Sequence, residues 1–459
     1  MANGEAMGVS ASPSRVAPRL SAPTFAQPGL RPSIFAPFVA IAPVAVILIA
    51  LLLPPEVRFN FAGQTIYGYR FACFLFAPWL IWAMAKGQFR FRFNDLIFTM
   101  AALWAVAGFI IVYGLERGGP SGVGVAIDML LAYFITRHSI RTFDDFRCLL
   151  ILLAPVALLI AGLMAMEAVA YYRFARAPAQ AVFGSLGAAE FGVGQGPADF
   201  TDVRYGLLRA MGPFSHPILA GTFFACLLPL YFFSRLRGWP MVVGMTACFG
   251  AIFSFSSAAI MGIVIFVVLA VYDRIRNMVT FLNWPIFIAA TLVSMLMVQI
   301  LSKGGLIPVL VRLTLNPQTG YYRLLIWEYG TKTVEAHPWF GIGYERYFAP
   351  LGMSGSVDSI WLAYSIRSGL PMAILLGIAT LIPMFGVMLR VGKERPADNQ
   401  LLIGLAVALT MYFLIGFSVT YFGGLLIWFF MLIAIGTTFS YGSERKLPPR
   451  RMLRKVAAA

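Results

Sequence analysis

Apolar residues along this chain come in runs of about 20, separated by short polar and basic stretches. A helix rising 1.5 Å per residue needs about 20 apolar residues to cross about 30 Å of hydrocarbon. Segments of this kind occur at 34–53, 67–85, 96–113, 122–136, 148–170, 217–233, 240–256, 257–273, 284–301, 370–389, 401–417 and 421–441. The fourth is short, and the seventh and eighth abut at Ser256–Ser257. The pattern predicts an all-α, polytopic transmembrane bundle of about 12 spans.

Composition agrees. Of 459 residues, 60% are hydrophobic and only 12% charged, about half the share found in soluble domains. Mean hydropathy is +0.81. A water-soluble fold could not hide so much apolar surface.

The net charge of +16 would suggest a nucleic-acid partner in a soluble protein, but the positions of the charges argue otherwise. With the N-terminus inside, the inner segments hold 22 of the 35 basic residues, among them Arg90, Arg137, Arg235, Arg274 and Arg390. Each of these loops is short and basic, as the positive-inside rule requires. The prediction is N-in, C-in. Residues 1–33, rich in Pro, Ala and Ser, are expected to be a disordered cytoplasmic tail, and 442–459 a basic one. Cys73, Cys148, Cys226 and Cys248 lie in or beside apolar runs and read as small core residues.

Two outer loops, about 171–216 and 302–369, exceed what a connection requires, and long loops of this kind carry function or disorder. The first contains Gly192-x-Gly194-x-Gly196. No Lys-Ser/Thr follows and no strand precedes it, so it reads as a surface loop rather than a phosphate cradle. The loop closes on Arg209-Ala-Met-Gly-Pro-Phe-Ser-His216-Pro217. Pro217 suits a helix first turn and Ser215 its cap. Arg209 and His216 would then flank a helix N-terminus, where anions bind; an arginine snorkelling to lipid phosphates is the simpler alternative.

In the second loop, Tyr321–Ala336 reads as an amphipathic helix with an apolar stripe of Leu324, Trp327, Thr331 and Val334. Glu328 and Lys332 are spaced as an ion pair, and Arg323 is one turn from Trp327. His337-Pro338 ends the helix. Residues 358–368 read as a separate short helix broken at Gly369-Leu-Pro371, since Arg367 deep within a span would be costly. Asp358 is its expected cap. Within the spans, Asp128 and Glu167 look like isolated carboxylates, and His138 like a solvated loop residue.

Three motifs in order resemble the bacterial O-antigen ligase and exopolysaccharide or O-antigen polymerase superfamily. They are Arg209…Gly212-Pro-Phe-Ser-His216-Pro217, then Arg323…Trp327 with His337-Pro-Trp-Phe-Gly341-Ile-Gly343, then Asp358-Ser359…Gly369-Leu370-Pro371. The resemblance implies a membrane-embedded glycosyltransferase of GT-C-like fold in the bacterial inner membrane, working on its periplasmic face. Its donor would be a glycan on undecaprenyl pyrophosphate and its acceptor a sugar hydroxyl. No metal or other cofactor is expected, and a chain-length regulator is a candidate partner. Ligases of the superfamily carry His where this chain has Asp358, which favours polymerase over ligase. A flippase, which would concentrate charge within its spans, is the alternative from another class.

Chemistry then suggests roles. Displacing pyrophosphate from an anomeric carbon builds negative charge on the leaving group, which must be stabilised. The outer loops lack an Asp-x-Asp motif, so arginine is the expected counter-charge. Arg209 and Arg323 lead, with Arg346 and Arg367 as further candidates. His216 and Trp327 are candidates for glycan contact, and Trp339 and Trp361 for sugar stacking. For the base that takes the acceptor's proton, the order is Asp358, His337, Glu328.

Overall fold

In the computed structural model, residues 35–61, 64–184, 203–279, 282, 284–302, 317–350, 353 and 355–442 are described. Both terminal tails and Gly192-x-Gly194-x-Gly196 lie outside them. The described chain is mostly helical, as the apolar runs predict. Six helices are long and apolar enough to cross a membrane, and four shorter apolar helical segments accompany them.

Helices lie over the predicted segments, although the third and fourth form one element and the seventh is divided in two. α1 (Phe35–Leu51) leads into a hairpin of β1 (Arg58–Phe61) and β2 (Gln64–Tyr67), which pair antiparallel. α2 (Gly68–Ala85), α3 (Phe93–Ser139) and α4 (Phe143–Ala170) come next. In the first long loop lie α5 (Arg176–Phe183) and a two-residue hairpin, β3 (Val203–Arg204) with β4 (Leu207–Leu208). α6 (Pro217–Phe232), α7 (Trp239–Ala247), α8 (Gly250–Phe253), α9 (Ser257–Arg276) and α10 (Trp284–Leu301) continue. In the second long loop are α11 (Pro317–Ala336) and α12 (Ile360–Ser368). α13 (Leu370–Arg390), α14 (Pro396–Ile415) and α15 (Gly424–Ser440) close the bundle.

α3 is two predicted segments joined without a loop. Gly114 has φ 76° and ψ 169°, which no helix tolerates, and the chain reverses there. Asp95 and Arg137, 42 residues apart, form an ion pair at 3.0 Å. In a straight helix they would be about 63 Å apart. Glycine makes the reversal close: a Cβ on Gly118 would lie 2.0 Å from the Phe109 carbonyl oxygen. Phe98 and Tyr133 stack across the two arms at 4.2 Å.

Contacts sort the connections into two ends. At one, the Arg137 guanidinium donates to the Arg90 carbonyl (3.1 Å), and Arg147 donates to those of Ser234 (3.2 Å) and Ala397 (3.0 Å). Arg92 covers the Tyr441 ring there. This is the end where the short basic loops gather. His138 belongs to it but is not solvated: its ring is buried against Trp79 and Phe89 with Arg141 in contact. The other end holds the Gly114 reversal, α5, α12 and the N-termini of α6 and α15.

The core between these ends is apolar and aromatic, with Phe223, Phe224, Trp428, Phe429 and Phe430 fully buried. The four cysteines are free and buried, as their apolar surroundings predict. Both membrane carboxylates have partners, unlike the isolated groups the sequence suggested. Asp128 takes two hydrogen bonds from Arg70 (2.6 and 2.7 Å), and Glu167 accepts the backbone amides of Met211 (3.0 Å) and Gly212 (2.9 Å). Neither partner could be found by spacing, since Arg70 is 58 residues from Asp128 and Met211 is 44 from Glu167.

Candidate functional site

The Glu167 clamp positions the first motif. Its carboxylate ties down the 211–212 turn, and Gly212 adopts φ 53°, with Met164 and Ile160 packed where a side chain would project. Arg173 donates to the Arg209 carbonyl (2.7 Å). Behind the turn, the fully buried Glu56 receives Arg176 (2.7 Å) and Gln180 (3.1 Å). The turn thus has a polar scaffold on both sides, and it delivers Arg209 and His216 to the mouth of α6.

His216, not Ser215, caps that helix. Its Nδ1 accepts the Ile218 amide at 3.1 Å, with Pro217 in the first turn as expected. An accepting Nδ1 leaves the ring proton on Nε2, so His216 presents a neutral donor. Burial, with Arg209, Arg173, Arg204 and Arg323 nearby, pushes its pKa down to about 3. Four arginines therefore lie near enough to one uncharged imidazole to act on it. Arg173 and Arg204 were not foreseen, because neither lies in a motif. Arg204 projects from β3 and donates to the Phe255 carbonyl at 3.0 Å.

Arg323 enters from α11. The fully buried face of that helix is Arg323, Ile326, Gly330 and Thr333, and the expected stripe of Leu324, Trp327, Thr331 and Val334 is half-buried beside it, with Trp327 and Val334 packed on the same cluster. Gly330 decides the difference: a Cβ there would lie 2.7 Å from Leu362, so α11 closes onto α12 along its smallest residue. This rotation turns Arg323 inward, toward Asp358. Arg323 Nε is 3.7 Å from Asp358 Oδ2 and has no hydrogen-bond partner among the described residues.

Asp358 is free to face Arg323 because it does not cap α12. Ser359 does so, accepting the Leu362 amide (3.3 Å) and donating to the Gly416 carbonyl (3.0 Å). Burial raises the Asp358 pKa above its ordinary value, and Arg323 partly offsets this. Burial likewise lowers that of Arg323. The result is a carboxylate of increased basicity beside a buried guanidinium whose Nε is unpaired among the described residues.

The separate helix and its break appear as predicted, and glycines explain the second and third motifs. Gly341, Gly343 and Gly369 have φ of 66°, 67° and 84°. Ile342 and Gly343 donate to the carbonyls of Ile366 (2.8 Å) and Arg367 (3.0 Å), and Leu370 to that of Pro338 (2.8 Å). A Cβ on Gly369 would meet the Trp339 carbonyl oxygen at 2.0 Å. The motif is a backbone-on-backbone joint that fixes the end of α12.

The remaining candidates lie apart from this cluster or are otherwise engaged. Glu328 is exposed and paired with Lys332 at 2.9 Å. His337 is exposed at the end of α11, its ring 6.3 Å from that of Phe348. Arg346 donates to the Met353 carbonyl (2.6 Å), and Arg367 lies over the Tyr344 ring. Trp327 and Trp361 donate to the carbonyls of Phe417 (3.1 Å) and Phe413 (3.2 Å) and are packed, while Trp339 is exposed. Among the described residues, no three His, Cys, Asp or Glu side chains converge as metal ligands would.

Comparison with known protein families and with characterised proteins found no match.

Proposed function

We propose that this chain is a polysaccharide polymerase, a membrane glycosyltransferase joining glycan repeat units carried on undecaprenyl pyrophosphate. The observation that carries the reading is the Arg323–Asp358 pair at 3.7 Å, with Arg209, Arg173 and Arg204 near enough to act, like Arg323, on the neighbouring His216. A carboxylate of raised pKa suits a general base, and several arginines suit a diphosphate leaving group.

In this mechanism the acceptor hydroxyl attacks the donor's anomeric carbon and its proton passes to Asp358. The bond from that carbon to the diphosphate oxygen breaks, and the charge left on the diphosphate is taken up by Arg209 and Arg323. Arg173 and Arg204 add to the field. Neutral His216 donates from Nε2 to a glycan or phosphate oxygen. No step requires a metal. The architecture of the reading is twelve crossings with both termini inside and a GT-C-like arrangement. Its site end faces the periplasm of a bacterial inner membrane, and a chain-length regulator is a candidate partner.

The test is reconstitution in liposomes with one lipid-linked repeat unit and no other acceptor. A ladder of multiples that Asp358→Asn abolishes is the expected result. Product only after a second acceptor is added would mean a ligase. Transport without product would mean a flippase.

A further inference from the structure

A second cationic cluster lies at the same end of the bundle, at the opposite end of α12 from Asp358. Arg367 is nine residues further on, about 13 Å by helical rise. Its guanidinium lies 5.6 Å from the centre of the Tyr344 ring. Arg117, just past the Gly114 reversal, lies 5.0 Å from that of Tyr113. The two tyrosines are joined, since the Tyr344 amide donates to the Tyr113 hydroxyl at 2.6 Å. Both arginines are exposed, and neither makes an ion pair among the described residues. A third, Arg70, is committed to Asp128 by its Nε and Nη2 and to the Thr65 carbonyl by Nη1 (2.8 Å). It neutralises Asp128 beneath the two exposed arginines; Glu116, beside Arg117, and Glu345, beside Tyr344, are exposed. Arg367 and Arg70 both act on the Tyr344 hydroxyl, and Arg117 lies on the ring of the Tyr113 that this residue's amide contacts.

We propose that Arg117 and Arg367, with Arg70 neutralising Asp128 beneath them, form a second phosphate site that takes the headgroup of a lipid arriving sideways from the bilayer. A guanidinium lying on an aromatic face keeps its N–H edge free and loses less freedom on binding. That edge matches phosphate oxygens. The lipid follows from the surroundings. Phe71 and Leu75, beside Arg70, and Ile111 and Leu115, beside Tyr113 and Arg117, are exposed apolar side chains continuous with the outer faces of α2 and α3. A phosphate held here would have its acyl or prenyl tail along apolar surface. The chemistry of the site does not depend on the polymerase reading; only the identity of its preferred lipid does.

Native mass spectrometry of the purified full chain in detergent tests this, with undecaprenyl diphosphate, dioleoyl phosphatidylglycerol and inorganic pyrophosphate as separate probes. Arg117→Gln combined with Arg367→Gln should weaken one bound lipid at least about tenfold. Lys332→Gln, in the exposed Glu328 pair outside both clusters, should leave that lipid in place. Tyr344→Leu should weaken it less, by removing the platform alone. An unchanged melting temperature excludes misfolding, since both arginines are exposed. Preference for the diphosphate supports the site as one for a lipid carrier, and equal binding of the two lipids supports it as one for bulk phospholipid. Unchanged lipid binding in the double variant overturns the proposal, as does pyrophosphate binding as tightly as either lipid. Loss of the lipid in a chain that makes no polymer keeps this site and defeats only the polymerase reading.

Discussion

Arg323 and Asp358 face each other at 3.7 Å across the α11–α12 contact, the arginine 3% exposed and the carboxylate 35%. The buried cation is held away from solvent, while the acid keeps one side open to a substrate. If Asp358 is the base, Asp358→Asn should lower the polymerisation rate by about 10²–10⁴ and leave donor binding intact. Arg323→Gln should instead weaken donor binding and rate together. Single-turnover assays with a lipid-linked unit would separate the two, and equal loss of binding in both variants would argue against this division.

The same pair predicts a pH dependence. Burial raises the Asp358 pKa, and Arg323 holds it down. The base form is the ionised one, so activity should fall on the acid side at a pH above the ordinary carboxylate value of 3.8. Removing Arg323 should move that limb to still higher pH. A pH–rate profile of Arg323→Gln with an unmoved limb would show that the two groups are not coupled.

His216 gives a stability signal of opposite origin. Its pKa is depressed from 6.5 to about 3 in the fold, so the unfolded chain binds the proton first as pH falls. The contribution is fully present above 6.5 and is lost progressively toward 3. His216→Asn, which keeps a capping side chain, should flatten the melting temperature across that window. A slope identical to wild type would place the titration elsewhere.

Glu167 accepts two buried amides, so Glu167→Ala leaves both without a partner. The expected cost is about 1–3 kcal/mol, read as a lower melting temperature. Because the 211–212 turn carries Arg209, donor KM should rise as well. Glu167→Gln, which keeps an acceptor oxygen, should fall between.

Gly369→Ala should be far more damaging than Gly377→Ala. The first adds a Cβ 2.0 Å from a carbonyl oxygen at φ 84°, whereas the second meets nothing within 4 Å. The backbone conformation alone costs an ordinary residue on the order of 1–3 kcal/mol. Yield of folded protein in detergent measures the difference.

Much of the site was visible in the sequence as residue types in order. Arg209, His216, Arg323 and Asp358 stood out because each belongs to one of the three ordered motifs that carry the resemblance. Their roles were less visible. Ser215 and Asp358 were equally good caps by preference, but His216 and Ser359 hold those places because the neighbouring backbone turns them in. Arg173 and Arg204 carried no signal, since a lone arginine in a polar loop has no pattern.

Hydrophobic period and length determined the helical segments without help from the fold, because covering a span with apolar side chains is a local requirement. Gly369, ahead of Leu370-Pro371, likewise marked the end of its helix, since φ above zero is a property of one residue, whereas the reversal at Gly114 appeared only in the structure. Partnership was decided only in three dimensions. Asp128 with Arg70, Glu167 with the 211–212 amides, and Arg323 with Asp358 join residues 35 to 58 positions apart. No periodicity encodes such a pairing. It arises where distant elements pack, and for Arg323 and Asp358 the packing turned on one small residue, Gly330, which let α11 close onto α12 with its arginine inward.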